Sequence, residues 1–316
     1  MSTLGYFRIR LTTLNYQQPL PFDIYILIDQ KLILYVKLGD ELPQKKIQTL
    51  HFKDTSESFF LSNQDKEKYQ AYVKELMKSD SLDNATKATI LRESSMAILE
   101  DLFDNPDVKK ALDESKPVIS NLMEFMENAP ESTGNLISLS GHDFYTYNHS
   151  FDVSIYSLGL GQALGFSKEQ LAELGLSSLY HDLGKRAVPL EILCKRGPLN
   201  DDEWTQMRMH PQYGLKILNE FPDISDAVKA SCFEHHESWA GGGYPQGIAK
   251  HDIHPFARIV ALTDTFDAMT TQRSYNTTMT PSDALNLMNG NLAGRYDPDM
   301  LKAMYSILFK MDKKAS

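Results

Sequence analysis

Cysteine is nearly missing from this chain: Cys194 and Cys232 are the only two in 316 residues, and no Cys-x-x-Cys pair occurs. That excludes a disulfide framework and a structural zinc ribbon, and it fits a reducing compartment. Long apolar runs are missing too. No stretch reaches the roughly eighteen apolar residues that a membrane span requires, and the segment Met1 to Arg8 has no continuous signal-peptide core. A cytoplasmic protein without membrane contact is expected. Basic charge is scarce, with 32 Lys and Arg against 42 Asp and Glu and a net charge of −10. Binding to DNA or RNA, which relies on cationic surface to displace counterions, is therefore not expected. A small phosphate-bearing ligand stays compatible, because bound divalent ions can dominate the local field. No Gly-x-Gly-x-x-Gly or Gly-Lys-Ser/Thr phosphate loop is present.

The 42% hydrophobic content supports an ordinary packed core in one large or two modest domains. Ile24 to Ile28 and Leu32 to Val36 are β-branched or aromatic runs, with Asp29 to Lys31 as the turn between them. Further short strands are expected around Ile47 to Phe52 and Ser58 to Leu61. From Lys66 to Asn128 the pattern becomes helical, with Ile90, Met96, Ile98, Leu99 and Leu102, then Val118, Leu122, Phe125 and Met126 as its apolar residues. This reads as two or three packed helices joining domains, and the break from Asn128 to Gly134 ends it. Beyond it, helix punctuation recurs: Ser167 with Gln170, Asn200 with Glu203, Gly165 as a stop, and Pro255, Pro281 and Pro298 at helix starts. The expected division is a β-rich module (1–63), a helical connector (64–134) and an all-helical domain (135–316).

Five of the nine histidines, His149, His181, His210, His235 and His236, fall in one stretch of the C-terminal half, accompanied by Asp182 and Asp264. Imidazoles and carboxylates without thiolates favour borderline or harder first-row divalent ions, and one carboxylate can bridge two of them. A paired-metal site suggests hydrolysis of a phosphate ester. The dipeptide His-Asp occurs three times, at His142, His181 and His251, and only the central copy ends an apolar run, in Tyr180-His-Asp-Leu-Gly-Lys185. On a helix, His181 and Asp182 point about 100° apart, while Lys185 shares their face and is placed to stabilise phosphate charge. Taken singly, Asp264 reads as a cap or ion-pair partner, His149 as a core histidine and His210 as a cap before Pro211. Together they read as a ligand set. Three glycines, Gly241 to Gly243, allow close approach of backbone to a ligand, and Tyr244 follows at the mouth of a pocket. A zinc protease is excluded, because no histidine follows His236-Glu237 at the required spacing. Cys232 is expected to be a buried, inert thiol, and His142, His251 and His254 to lie outside the ligand set, with His51 in the N-terminal unit.

The series His149-Ser150, Tyr180 to Lys185, Lys195 to Leu199, Met209-His-Pro211, His235-His-Glu237, Gly243-Tyr-Pro245, Asp264 to Met269 and Arg273-Ser-Tyr275 closely resembles the HD-GYP family, over roughly residues 135 to 312. The resemblance implies a mainly α fold with an HD-type metal phosphohydrolase domain, and hydrolysis of cyclic di-GMP to linear pGpG or GMP. It implies two divalent ions, iron first and manganese as the alternative. One would be held by His149, His181, Asp182 and Asp264, the other by Asp182, His210, His235 and His236, with a bridging hydroxide as nucleophile. Lys185 would assist at the phosphate, Arg273 would grip a second phosphate, and Gly243 and Tyr244 would line the substrate pocket. Tyr145 stands where some members carry a glutamate, which implies two ions rather than three. Ala240, Gly242, Ser274 and Asn276 also depart from the usual pattern around the substrate. The N-terminal unit more loosely resembles a β-rich module that precedes such domains in some bacterial proteins, with regulation or partner contact as its role.

Two other readings stay open at this point. A metal-retaining sensor or scaffold would bind cyclic di-GMP and act through a partner without fast turnover. An enzyme for another cyclic dinucleotide or a nucleotide monophosphate would keep the chemistry and change the substrate. A regulatory or diguanylate-cyclase-type protein partner and a homodimer are compatible with each.

Overall fold

The computed structural model describes residues 5–15, 18–42, 59–104, 107–129, 136, 146–195, 197–271 and 278–312. The chain forms two compact units, 1–121 and 122–316. Among the described residues no helix is long and apolar enough to cross a membrane.

The N-terminal unit carries a four-stranded antiparallel sheet of β1 (Tyr6–Ile9), β2 (Ile24–Ile28), β3 (Lys31–Val36) and β4 (Phe59–Ser62), in the order β1-β4-β2-β3. The β2–β3 hairpin pairs Ile28 with Lys31, so Lys31 belongs to the strand and the loop is Asp29-Gln30 alone. Both loop residues take positive φ, 47° and 64°, the twist that a two-residue hairpin needs to match its strands. Alternation buries Phe7, Ile9, Ile24 and Ile26 on one face of the sheet. That face shares a core with Tyr69, Val73 and Leu76 of α1 (Lys66–Lys78) and Ile90 of α2 (Asn84–Asp104). Tyr69 is wholly buried and donates its hydroxyl proton to Thr13 Oγ1 at 2.8 Å, so its polar end is satisfied inside the core. Helix α3 (Val108–Asn128) completes the expected helical run and carries Pro117 in its interior. The strand expected around residues 47–52 lies outside the described residues.

Every regular element among the described residues of the C-terminal unit is a helix. Its centre is α4 (Thr146–Ala163), in which Phe151, Val153, Ile155, Leu158 and Leu160 are fully buried. Each such side chain contributes about 1.5–3 kcal/mol through removal of apolar surface from water. Serines on the same helix let neighbours come close. Ser154 Oγ donates to the carbonyl of Gly175 on α5 (Lys168–Tyr180), and Ser157 bonds Thr263 on a later helix at 2.8 Å. A 3-10 turn (Leu183–Ala187) follows α5, then the short α6 (Leu190–Leu193), α7 (Asp201–Met207), α8 (His210–Leu218), α9 (Asp226–Glu234), α10 (Pro255–Thr270), α11 (Pro281–Asn289) and α12 (Pro298–Asp312). Capping boxes at Ser167 and Asn200 start α5 and α7, while Pro255 and Pro281 occupy first-turn positions. Gly165 closes α4 in the left-handed region at φ 79°.

Candidate metal centre

Five helices deliver the site. His149 projects from the first turns of α4, His181 is the residue that ends α5, and Asp182 follows it into the 3-10 turn. The helix therefore does not carry Asp182. At φ −98° and ψ 11° the backbone leaves helical geometry there, and that turn, rather than helical rotation, sets the two side chains apart. His210 opens α8, His235 caps α9 with His236 next, and Asp264 lies within α10. Cys232 on α9 is buried, and its thiol donates to the carbonyl of His181 at 3.4 Å. Burial pushes that thiol's pKa up, which makes it an inert contact rather than a thiolate.

These side chains form two groups: His149, His181 and Asp264, and then Asp182, His210, His235 and His236. Asp182 faces both. Its Oδ2 lies 3.3 Å from His181 Nε2 and 3.9 Å from His149 Nε2, and its Oδ1 lies 3.3 Å from His210 Nε2 and 3.8 Å from His235 Nε2. Asp264 Oδ1 is 3.1 Å from His149 Nε2 and 4.0 Å from His181 Nε2.

The outer nitrogens decide what the inner ones can do. Nδ1 of His181, His210 and His235 each meets a backbone carbonyl, of Ser178 at 2.6 Å, Met207 at 2.8 Å and Cys232 at 3.0 Å. A carbonyl only accepts, so Nδ1 carries a proton and Nε2 is the nitrogen that each ring turns inward as a possible ligand. Burial depresses the pKa of His210, His235 and His236, the last to about 3, with neighbouring imidazoles adding to the effect. Nε2 of His210 and His235 are 3.3 Å apart; two lone pairs at that spacing satisfy nothing unless a cation lies between their directions. Buried His181 Nε2 and Asp182 Oδ1 likewise have no hydrogen-bond partner. The donor set therefore fits divalent cations.

His149 is held differently, because its Nδ1 meets Asp267 Oδ2 at 2.7 Å. Burial opposes a charge on this ring, yet hydrogen bonds with Asp264 and Asp267 outweigh it and raise the pKa to about 10. A metal ion would displace that proton from Nε2. Burial also opposes ionisation of Asp182 and Asp264. Lys185 foremost overcomes it at Asp182 and His149 overcomes it at Asp264, holding both well below the usual carboxylate range.

Lys185 is half-buried and ion-paired with Asp182 Oδ2. Tyr244 stacks on His236, with ring centroids 4.7 Å apart and planes at 26°. Gly243 is required by the protein itself: a Cβ there would come within 2.5 Å of Glu237 Cα and 2.6 Å of the His236 carbonyl. Arg273 and Tyr145 lie outside the described residues, as do His51 and His142. His254 caps α10 by accepting from the Phe256 N–H, and His251 meets the Trp239 ring edge-on.

Two buried acids escaped the sequence reading. Asp267 also accepts from Thr271 Oγ1, and Glu237 Oε1 accepts from the Gln246 and Gly247 N–H groups at 2.6 and 3.0 Å, tying down the loop that carries Tyr244. The first had a signal, an acid three residues after Asp264. The second had none beyond its place in the His-His-Glu series.

A family model described as HD domain matches residues 131–300. A cyclic di-GMP phosphodiesterase of Pseudomonas aeruginosa is 32% identical over 218 residues, 68% of this chain and 52% of the relative. A 3'3'-cGAMP-specific phosphodiesterase of Vibrio cholerae is 29% identical over 204 residues, 64% and 37% of the two chains, and a cyclic di-GMP phosphodiesterase of Thermotoga maritima is 30% identical over 166 residues, 52% and 45%. The chain thus spans about half the length, or less, of these curated relatives. The solved structure of an HDG"Y"P protein from Bdellovibrio bacteriovorus shares the fold over 96% of this chain and 99% of its own, with a TM-score of 0.73 at 23% identity. The motif series, the helical unit that assembles it and a match over more than half of the sequence together place this chain in the HD-GYP family of HD-domain proteins.

Proposed function

We propose that this chain is a metal-dependent phosphodiesterase for a cyclic dinucleotide, cyclic di-GMP foremost, with linear pGpG or GMP as product. The observation that carries the reading is the position of Asp182, whose two carboxylate oxygens face two separate sets of inward imidazole nitrogens. In this reading His149, His181, Asp182 and Asp264 hold one ion, and Asp182, His210, His235 and His236 the other, with iron as the first candidate and manganese as the second. Divalent ions bound there supply Lewis acidity, which makes water nucleophilic near neutral pH and offsets phosphoryl charge. Lys185 keeps Asp182 ionised and offers its remaining donors to a phosphate oxygen, so it orients the substrate as well as the carboxylate. Tyr244 supplies the flat wall beside His236, and Arg273 is assigned to the substrate from its sequence position. A β-rich regulatory module, a connector and a catalytic half remain the domain division we favour. Relatives named for cyclic di-GMP and for 3'3'-cGAMP leave the identity of the substrate's two bases as the finer question.

Metal content and turnover of the purified chain test this. Two equivalents of iron or manganese and linear product from cyclic di-GMP are expected. Absence of both after reconstitution overturns the reading, while tight nucleotide binding without product over hours would favour the sensor. Asp182→Ala is expected to lose both ions and all activity, since one carboxylate serves both groups; wild-type turnover in that variant would remove the bridging role.

A further inference from the structure

Two arginines of the C-terminal unit lie over aromatic rings, and they differ in how their charge is used. Arg258 sits 5.5 Å from the Trp239 ring centroid, and its guanidinium donates to Asp297 at 2.6 Å. Arg208 sits 5.5 Å from the Tyr244 centroid and 5.9 Å from that of Trp204. Among the described residues no carboxylate lies within ion-pair distance of Arg208. Helical spacing alone accounts for its contact with Trp204, four residues earlier. The contact with Tyr244, which comes from another segment, is what brings the guanidinium to the site.

Tyr244 in turn stacks on His236, one of the clustered imidazoles. A column of flat groups therefore runs from His236 through Tyr244 to Arg208 and to Trp204, whose indole is 46% exposed.

We infer that Arg208 is a specificity-determining residue whose guanidinium helps to hold the second phosphodiester of a cyclic dinucleotide, the charge that the family resemblance also gives to Arg273, while the Asp182 cluster and Lys185 hold the first. This rests on the proposed function above. A cyclic dinucleotide carries two phosphodiester charges, and whichever one is not at the cluster must be desolvated close beside it. In a chain of net charge −10, a cation placed against Tyr244 with no carboxylate within ion-pair distance among the described residues keeps its charge available to an anionic ligand. The guanidinium fork matches two phosphate oxygens, and the two rings beside it, Trp204 and Tyr244, hold it near the site without consuming its charge.

The test compares the metal-reconstituted full chain with Arg208→Met and Arg208→Lys, on cyclic di-GMP and on bis(p-nitrophenyl) phosphate, which has a single phosphodiester. Arg208→Met is expected to lower the ratio of the two kcat/KM values about tenfold, as for loss of a hydrogen bond to a charged group, mainly through KM for the dinucleotide. Arg208→Lys should recover part of it. A ratio within twofold of wild type overturns the inference, and so does an equal loss on both substrates, which would signal damage to the cluster. If the wild type hydrolyses neither diester, the catalytic reading fails and equilibrium dialysis with cyclic di-GMP decides the inference. Binding about tenfold tighter than in Arg208→Met then supports it, and equal or no binding overturns it.

Discussion

An imidazole offers one lone pair at a time, so its outer nitrogen decides whether its inner nitrogen can ligate. For three of the clustered histidines that decision is made by backbone carbonyls, which substitution cannot remove. For His149 it is made by the Asp267 carboxylate, 118 residues away in sequence, and that makes the contact testable. Asp267→Ala is expected to weaken metal binding about 10–100-fold, the usual cost of losing an outer-shell carboxylate, with Asp267→Asn intermediate because its amide oxygen still accepts. Metal titration against a competing chelator measures this, and wild-type affinity in Asp267→Ala would remove the orienting role. The sequence made the inner residues legible because histidine and aspartate are rare enough in one stretch to stand out. It marked Asp267 only by its spacing from Asp264 and not by its role, because an acid's meaning here depends on a ring contributed by another helix. Glu237 was legible only as the last member of the His-His-Glu series; its buried hold on the Gln246 and Gly247 amides depends on a loop that folds back.

Between elements, the tightest constraint is where the 3-10 turn after Asp182 meets the start of α8. A Cβ on Gly184 would lie 1.8 Å from the His210 carbonyl oxygen and 2.4 Å from the Gly214 nitrogen. Backbone cannot yield as a side chain can, so Gly184→Ala must push α8 away, at a cost above the roughly 1–3 kcal/mol of ordinary overpacking. His210 moves with that helix. The variant is expected to melt lower and to lose the ion assigned to Asp182, His210, His235 and His236 before the other; unchanged melting with full metal content would refute this account. The sequence spoke clearly wherever an element is defined by its own residues, as in the Ser167 and Asn200 capping boxes and the β2–β3 hairpin. It was silent on β1, four residues whose partner strand is β4, some fifty residues later. It was silent too on the role of Gly184, since a glycine demanded by a neighbouring helix looks like any other until that helix is in place.

At the scale of the molecule, the C-terminal unit places several imidazoles and carboxylates where water cannot reach them, with His181 Nε2 and Asp182 Oδ1 lacking any protein partner. Such groups cost stability when alone and return it when a cation binds them. A ligand that binds only the folded state stabilises it by about 2.7 kcal/mol at a hundred times its Kd. For a unit of this size each kcal/mol moves Tm by about 2–4 °C. Removing the metals is therefore expected to lower the melting temperature of the C-terminal unit by about 5–10 °C. Both tryptophans of the chain, Trp204 and Trp239, belong to that unit, so intrinsic tryptophan fluorescence follows its unfolding selectively. In the Asp182→Ala chain, which should hold no ion, the chelator should shift nothing. A wild-type transition that stays in place on chelation, after metal loading has been verified by elemental analysis, would mean that the buried imidazoles are satisfied by the protein alone, and the metal reading of the cluster would have to be given up.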